Sequence, residues 1–428
     1  MQPGEAPDDS KGHQRQGAAD RIEFQQGRIH GFAIRSFEAV EGSTRPSDEI
    51  ARAREWLPWT RPPFTANPIR ASQGVQRTVM STDISQRKRD HIDLCATGEV
   101  GFRDATTLLS CVRLVHDSLP DLDADALDTR VTLLGKTLRF PLVIAAMTGG
   151  TAEAAAINRD LAAIAEARGY GFGLGSQRAM QRKGEVAWTY AVREVAPTTL
   201  LLGNVGMVQG RQMGLDVLRG LVRDVGADAL CVHLNPAMEL VQPGGDRDFR
   251  GGADFFRELG GFDVPVVAKE TGNGIGGAAA RKLRAAGVKH VDVSGAGGTS
   301  WVGVETLRAT GEARALGEAL WDWGVPTAAS VAITAAAGFE TIIATGGVFT
   351  GSDVARAIAL GASAAGIARP VLQAHRKGGR AGAEAYLEGV ERELRAIMLL
   401  TGSADVAALR RAPRVIIGEL EKWIAQAG

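Results

Sequence analysis

Chemistry in this sequence gathers where apolar runs stop. The stretch CVHLNPAMELVQPGGDRDF, residues 231–249, begins as a buried strand and within a few residues presents His233, Asn235, Glu239, Asp246 and Arg247, with Met238 among them. Similar endings recur: Met147-Thr148-Gly149-Gly150, Ser176-Gln177-Arg178, Asn204, Lys269-Glu270-Thr271-Gly272, Ser294 through Ser300, Gly346-Gly347 and Ala368-Arg369. Any one of these clusters is ordinary turn chemistry. A polar or glycine cluster after every apolar run describes the lining of one site.

Two groups of these residues suit anions. TGGVFTGSDVARAI (345–358) sets glycines before Thr350 and Gly351 at a helix start, and GIARP (366–370) follows the last apolar run. Backbone N–H groups and the helix dipole there form an anion cradle suited to a cofactor phosphate; an ordinary capped helix is the alternative. QRKRDHI (86–92) collects Arg87, Lys88, Arg89 and His91. Alone it is a solvated charged face, but with Ser176, Arg178, His233 and Asn235 it would clamp a diphosphate through charge-assisted hydrogen bonds. Lys269 ends an apolar strand, where an unpaired ammonium is costly to bury. It is either salt-bridged to Glu270 or aimed at the electron-rich edge of a flavin.

The elements that must position these residues can be counted. FPLVIAAM (140–147), GFGLGS (171–176), TLLLGNVG (199–206), ALCVHLN (229–235), PVVAKE (265–270), HVDVSG (290–295), TIIATGG (341–347) and AAGIAR (364–369) are short and apolar throughout. Between them lie helix-period stretches such as EAAAINRDLAAIAEAR (153–168), MGLDVLRGLVRDVG (213–226), GAAARKLRAAG (277–287) and GSDVARAIALG (351–361). Such alternation predicts a parallel sheet buried on both faces. Eight units predict an α/β fold of the (β/α)8 TIM-barrel class, whose active site lies at the C-terminal strand ends. An open doubly wound sheet would carry a phosphate fingerprint after its first strand, and MTGGTAE stands there instead of GxGxxG.

Composition bounds the function. Of 428 residues, 45% are hydrophobic and 23% charged, as in a globular protein, and the formal net charge of zero offers no basic excess for nucleic acid. Glycine, at 54 residues, is roughly twice its usual share of about 7%, as expected where backbone meets ligand closely. Cys95, Cys111 and Cys231 have neither metal-ligand spacing nor an even count, so a cytosolic protein without disulfides or zinc is expected. No apolar run reaches the length of a membrane span. Residues 1–79 are polar, punctuated by Pro and Gly and without sustained period, and are expected to be disordered or a non-native extension before the barrel domain at 80–428. The context VMSTDISQRKRDHID marks Met80 as a candidate start, testable by the intact mass of the protein from its own host.

RKRDHI, MTGG, GSQR, NVG, HLNPAMELVQPGGDRDF, KETGNG, VSGAGGTSW, WGVPTA, ATGGVFTG and GIARP occur in this order. Residues 80–415, including ELRAIMLLTG (393–402), thereby resemble the type 2 isopentenyl diphosphate isomerases. The resemblance implies conversion of isopentenyl diphosphate to dimethylallyl diphosphate in isoprenoid biosynthesis, with FMN in its reduced form, NAD(P)H as reductant and Mg²⁺. It implies FMN contacts from Met147, Thr148, Gly149, Gly150, Ser176, Asn204, Lys269, Thr299, Gly346, Gly347, Gly351, Ala368 and Arg369. Diphosphate contacts would come from Arg87, Lys88, His91, Ser176, Arg178, His233 and Asn235, and Glu239 would hold Mg²⁺, a hard cation suited to carboxylate and phosphate oxygens. His233, Met238 and Glu239 would stand at the reacting end, and the assembly would be a homo-tetramer or homo-octamer.

The family pattern is HLNxxQE followed by PEGDR. This chain has Met238 in place of the glutamine and Gly244 in place of the glutamate. A thioether fills space but makes no strong hydrogen bond. A flavin enzyme acting on another prenyl or allylic substrate is therefore the alternative.

Overall fold

Eight short strands close into a parallel barrel in the computed structural model, which describes residues 84–97, 99–182 and 184–426. They are β1 (Leu142–Ile144), β2 (Gly171–Gly173), β3 (Leu200–Gly206), β4 (Ala229–Leu234), β5 (Val266–Glu270), β6 (His290–Asp292), β7 (Thr341–Ala344) and β8 (Ala364–Ile367). Each pairs with its neighbour in sequence, and β8 closes on β1 through Ala365 opposite Leu142 and Ile367 opposite Ile144. Every apolar run read as a strand contributes one, so the (β/α)8 expectation holds. The expectation for residues 1–79 lies outside the described residues.

Side chains alternate along a strand, and here the alternation sorts two cores. Leu142, Ile144, Leu201, Leu230, Val232, Ala268, Val291, Ile342 and Ala365 pack outward beneath the helices. Val143, Leu200, Leu202, Ala229, Cys231, Val267, Ile343 and Ala364 point inward and fill the lower barrel. Leu133, Leu134 and Leu138 join that inner cluster from an antiparallel hairpin, Val131–Leu133 with Lys136–Leu138, and plug the N-terminal end. The strand count did not anticipate this hairpin, because it precedes the first strand–helix unit.

Five helices shape the opposite end: α1 (Ile84–Thr97), α2 (Pro236–Val241), α3 (Trp301–Arg308), α4 (Gly351–Ala359) and α5 (Arg369–Leu400). Helix α4 starts with a full capping box, the Thr350 hydroxyl accepting from Asp353 N–H and the Asp353 carboxylate accepting from the Thr350 backbone. Helix α5 bends at Gly378 and Gly379, whose dihedrals leave the helical region. No helix among the described residues is long and apolar enough to cross a membrane.

Candidate active site

Continuing the same alternation past the apolar layers places polar side chains inside the upper barrel. On β3 the inward series Leu200, Leu202 leads to Asn204; on β4 Ala229 and Cys231 lead to His233; on β5 Val267 leads to Lys269. Ala145, Met147, Ser294, Thr345, Gly366 and Ala368 continue the series on their strands. All nine of these upper positions line one open cavity of about 1350 Å³, counting its mouth. Its lining runs from the inner faces of the strands to helix α1 and the segment after β2, so one space adjoins both groups of candidate ligand-binding residues.

Lys269 is 7% exposed and is paired with Asp292 rather than with Glu270. Its Nζ lies 2.8 Å from Asp292 Oδ2 and 3.5 Å from Thr345 Oγ1, and the Thr345 hydroxyl donates to Asp292 Oδ1. Glu270 instead accepts backbone N–H bonds from Thr271, Gly272, Asn273 and Gly274, which shape the loop after β5. The expected alternative pairing with Glu270 is thus corrected: consecutive residues on a strand point to opposite faces.

The wall opposite is cationic. Helix α1 carries Arg87, Lys88 and His91 into the cavity, and Arg178 joins them from the segment after β2. Neither Arg87, Lys88 nor Arg178 forms an ion pair among the described residues; Arg87 donates to Gln242 Oε1 at 3.1 Å. Burial, with Arg87 and Arg178 nearby, lowers the Lys88 ammonium to about 8. His233 is held down to about 3 by burial and by Lys269, Lys88 and Arg178. Its Nδ1 meets Asn204 Oδ1 at 2.7 Å, which makes Nδ1 the donor, the amide oxygen being an acceptor.

His91 has a different partner. Its Nε2 lies 2.8 Å from Glu305 Oε1, whose side chain is fully buried on α3, and its ring meets Trp301 edge to face at 5.2 Å between centroids. Arg308 bridges Glu305 at 2.7 Å and Asp90 of α1 at 3.0 Å. This ion-pair relay fixes α1 against α3 and so aims the three basic side chains. The relay was not singled out in the sequence; the spacing of Glu305 and Arg308 indicates a helical pair, but not that α1 lies over it.

Helix α2 shapes the third wall. Glu239, 4% exposed, accepts from Asn235 Nδ2 at 2.8 Å, Gln242 Nε2 at 3.3 Å and Asp246 N–H at 2.7 Å. The last bond depends on a turn with Pro243 and Gly244 at its centre, Gly244 at φ +68° and Gly245 N–H bonded to Gln242 C=O. Met238, half-buried, lines the cavity one residue before Glu239. Among the described residues no group of three or more His, Cys, Asp or Glu could hold a metal ion, so a cation at Glu239 would draw most of its ligands from elsewhere.

Four buried side-chain polar atoms among the described residues lack a hydrogen-bond partner: Arg87 Nε, Thr148 Oγ1, Arg178 Nε and Arg369 Nη1. All four belong to residues expected to touch ligand. Leaving such groups unmet is expensive, and Arg87, Arg178 and Arg369 all line the cavity, which marks it as a site built for polar molecules. Arg369 also donates weakly to Gly298 C=O at 3.4 Å and stands 5.8 Å over the Phe349 ring.

Met147, Ser176, Thr299, Gly346, Gly347, Ala368 and Arg369 all line the cavity as expected. Thr148, buried just behind Met147, and three glycines do not. A Cβ at Gly149 would lie 2.2 Å from the Tyr190 ring, and one at Gly150 3.1 Å from Ala179, so these two serve packing beneath Thr148. Gly351 gives its N–H to Glu393 at 3.0 Å, and its Cβ would strike Val390 C=O of α5. The anion cradle expected at Thr350–Gly351 is therefore corrected, because its donors are already spent on the capping box and α5. Gly298 and Gly347 remain as close backbone neighbours on the cavity wall: a Cβ at Gly298 would lie 2.2 Å from Gly347 N.

The sequence model of the FMN-dependent dehydrogenase family matches residues 80–203 and 263–415. An isopentenyl-diphosphate delta-isomerase from Nostoc sp. is 44% identical over 336 residues, 78% of this chain and 96% of that protein. The chain belongs to the type 2 isopentenyl diphosphate isomerase family. A second relative of the same name, from Methanothermobacter thermautotrophicus, is 42% identical over 347 residues, covering 81% of this chain and 97% of its own. Solved mandelate oxidase variants superimpose with TM-scores of 0.54 to 0.55 at 18% to 21% identity, over 79% of this chain and 99% to 100% of theirs, which supports the barrel fold. Met238 stands on the cavity wall, and Gly244 lies in the turn that brings Asp246 to Glu239.

Proposed function

We propose that the protein interconverts isopentenyl and dimethylallyl diphosphate with reduced FMN and Mg²⁺, NAD(P)H serving as reductant. The observation that carries this is the convergence of Arg87, Lys88 and Arg178, none of them in an ion pair among the described residues, on the cavity that Lys269 enters from the barrel. Three unneutralised cations suit a diphosphate, whereas a hydroxy-acid carboxylate needs fewer.

FMN fits the remaining wall by the chemistry of its donors. Arg369 Nη1 is unpartnered on that wall, Thr148 Oγ1 is unpartnered behind Met147, and the adjoining glycine backbones at 298, 346 and 347 leave no side chain in the way. Thr148, Ser176, Asn204, Lys269, Thr299, Gly346, Gly347, Ala368 and Arg369 would hold it, and reduced FMN supplies the proton-transfer chemistry at the substrate's carbons. Arg87, Lys88, Arg178 and Asn235 bind the diphosphate, and His233 turns its Nε2 to the same end while Asn204 fixes Nδ1. Glu239 would hold Mg²⁺, a hard cation whose chemistry suits a carboxylate together with phosphate and water oxygens. His91 braces α1 through Glu305 rather than binding substrate first-hand.

The barrel unit runs from residue 80, where the family match begins, and works in the cytosol as a homo-oligomer; light scattering of the purified protein reads the latter. The test of function is direct: protein loaded with FMN, reduced by dithionite or NAD(P)H in Mg²⁺, is given isopentenyl diphosphate and the product followed by NMR. Turnover above the free-flavin background supports the proposal. Its absence with FMN bound favours an enzyme of another prenyl or allylic substrate, a reading that the thioether of Met238 on the cavity wall supports.

Lys88 gives this site a pH signature. With its ammonium near 8 in the free protein, the cation is present below that pH and lost above it. Because kcat/KM reports groups of the free enzyme, kcat/KM falls as pH rises through about 8. Lys88→Arg, which stays charged, extends the plateau to higher pH.

A further inference from the structure

We propose that Asp292 is a positioning residue for Lys269: it aims the ammonium into the cavity and cancels its charge beside the cofactor. The inference rests on FMN occupying this cavity, as argued above. Asp292 is 3% exposed, does not line the cavity, and stands on β6 directly opposite Lys269 of β5 in the parallel register. One carboxylate oxygen meets Lys269 Nζ at 2.8 Å; the other accepts the hydroxyl of Thr345, the residue just past β7. Two adjacent strands and the end of a third thus contribute one residue each to a closed row. An ammonium has three donors. Asp292 takes one, Thr345 lies within 3.5 Å of a second, and the third is left for the cavity that Lys269 and Thr345 line.

The electrical consequence differs from that of a lone lysine. With Asp292 in place the pair presents a dipole, not a net positive charge, to whatever lies above it. In a buried setting, removing one partner exposes the full charge of the other. Electron gain by a flavin there is favoured by net positive and opposed by net negative surroundings, so the two single substitutions act in opposite directions.

The experiment uses the full chain loaded with FMN and reads its midpoint potential by spectroelectrochemistry at pH 7. Asp292→Asn is expected to raise the potential and Lys269→Met to lower it, each shifting the oxidised-to-reduced equilibrium at least tenfold, about 30 mV for two electrons. The double variant D292N/K269M removes both charges, a replacement that buried pairs commonly tolerate, and is expected to return to within threefold of the unsubstituted protein. Should D292N not fold, Lys269→Met and the double variant alone decide: a lowered potential restored by adding D292N supports the pairing. Variants that bind FMN with unchanged potentials, or shifts of one sign throughout, overturn it. Failure of the unsubstituted protein to bind FMN would instead overturn the cofactor assignment.

Discussion

Met238→Gln raises the turnover of isopentenyl diphosphate by on the order of 10²- to 10⁴-fold, the usual worth of a positioned proton-transfer group. The size of the effect follows from what surrounds the methionine. Its thioether has no N–H and accepts hydrogen bonds poorly, and the nearest amides on the same helix are committed. Asn235 donates to Glu239, and Gln242 joins Arg87 to Glu239 through both of its ends. Neither is free to stand in for a missing amide without breaking the ligation of Glu239 or the aim of Arg87. Steady-state kinetics with FMN, Mg²⁺ and reductant measure the gain. A loss of activity on restoring glutamine would show instead that the methionine belongs to the present chemistry and that the native substrate differs.

Arg178→Ala raises KM for the diphosphate by about 10- to 150-fold, from the roughly 1.5–3 kcal/mol of a hydrogen bond to a charged group, with a smaller change in kcat. Among the described residues Arg178 has no carboxylate partner, and its Nε is unmet. Its loss therefore uncovers no buried acid and leaves the fold intact. A rise in KM with kcat retained is the mark of uniform binding lost, as expected for a group that grips the diphosphate away from the reacting carbons. FMN affinity, measured by fluorescence quenching, stays the same. An unchanged KM would remove Arg178 from the substrate site.

The barrel was legible because its strands are apolar on both faces and evenly spaced, and the site because each strand ends in polar residues. Period-2 alternation even distinguishes Lys269 from Glu270, since only every second residue faces the barrel axis. The same rule applied to HVDVSG would have found Asp292, which a reading of that run as plain buried strand passes over. Glycines were the harder case. Gly149 and Gly351 look in sequence like Gly346 and Gly347, but what decides their role is a bulky neighbour contributed from elsewhere, Tyr190 in one case and α5 in the other. The relay from Asp90 through Arg308 and Glu305 to His91 joins segments more than two hundred residues apart, a pairing no local pattern encodes.

The hairpin plugs the barrel's lower end, so the active site lies above a closed floor. Leu133, Leu134 and Leu138 close the floor, and Arg87, Lys88 and Arg178 line the cavity above it. Two isomers that share the same diphosphate feel that anchor equally, and it cannot sort them. Discrimination between what enters and what departs then rests on the hydrocarbon tail alone. The walls that meet that tail, Met238 among them, set how far the exchange runs before the molecule escapes.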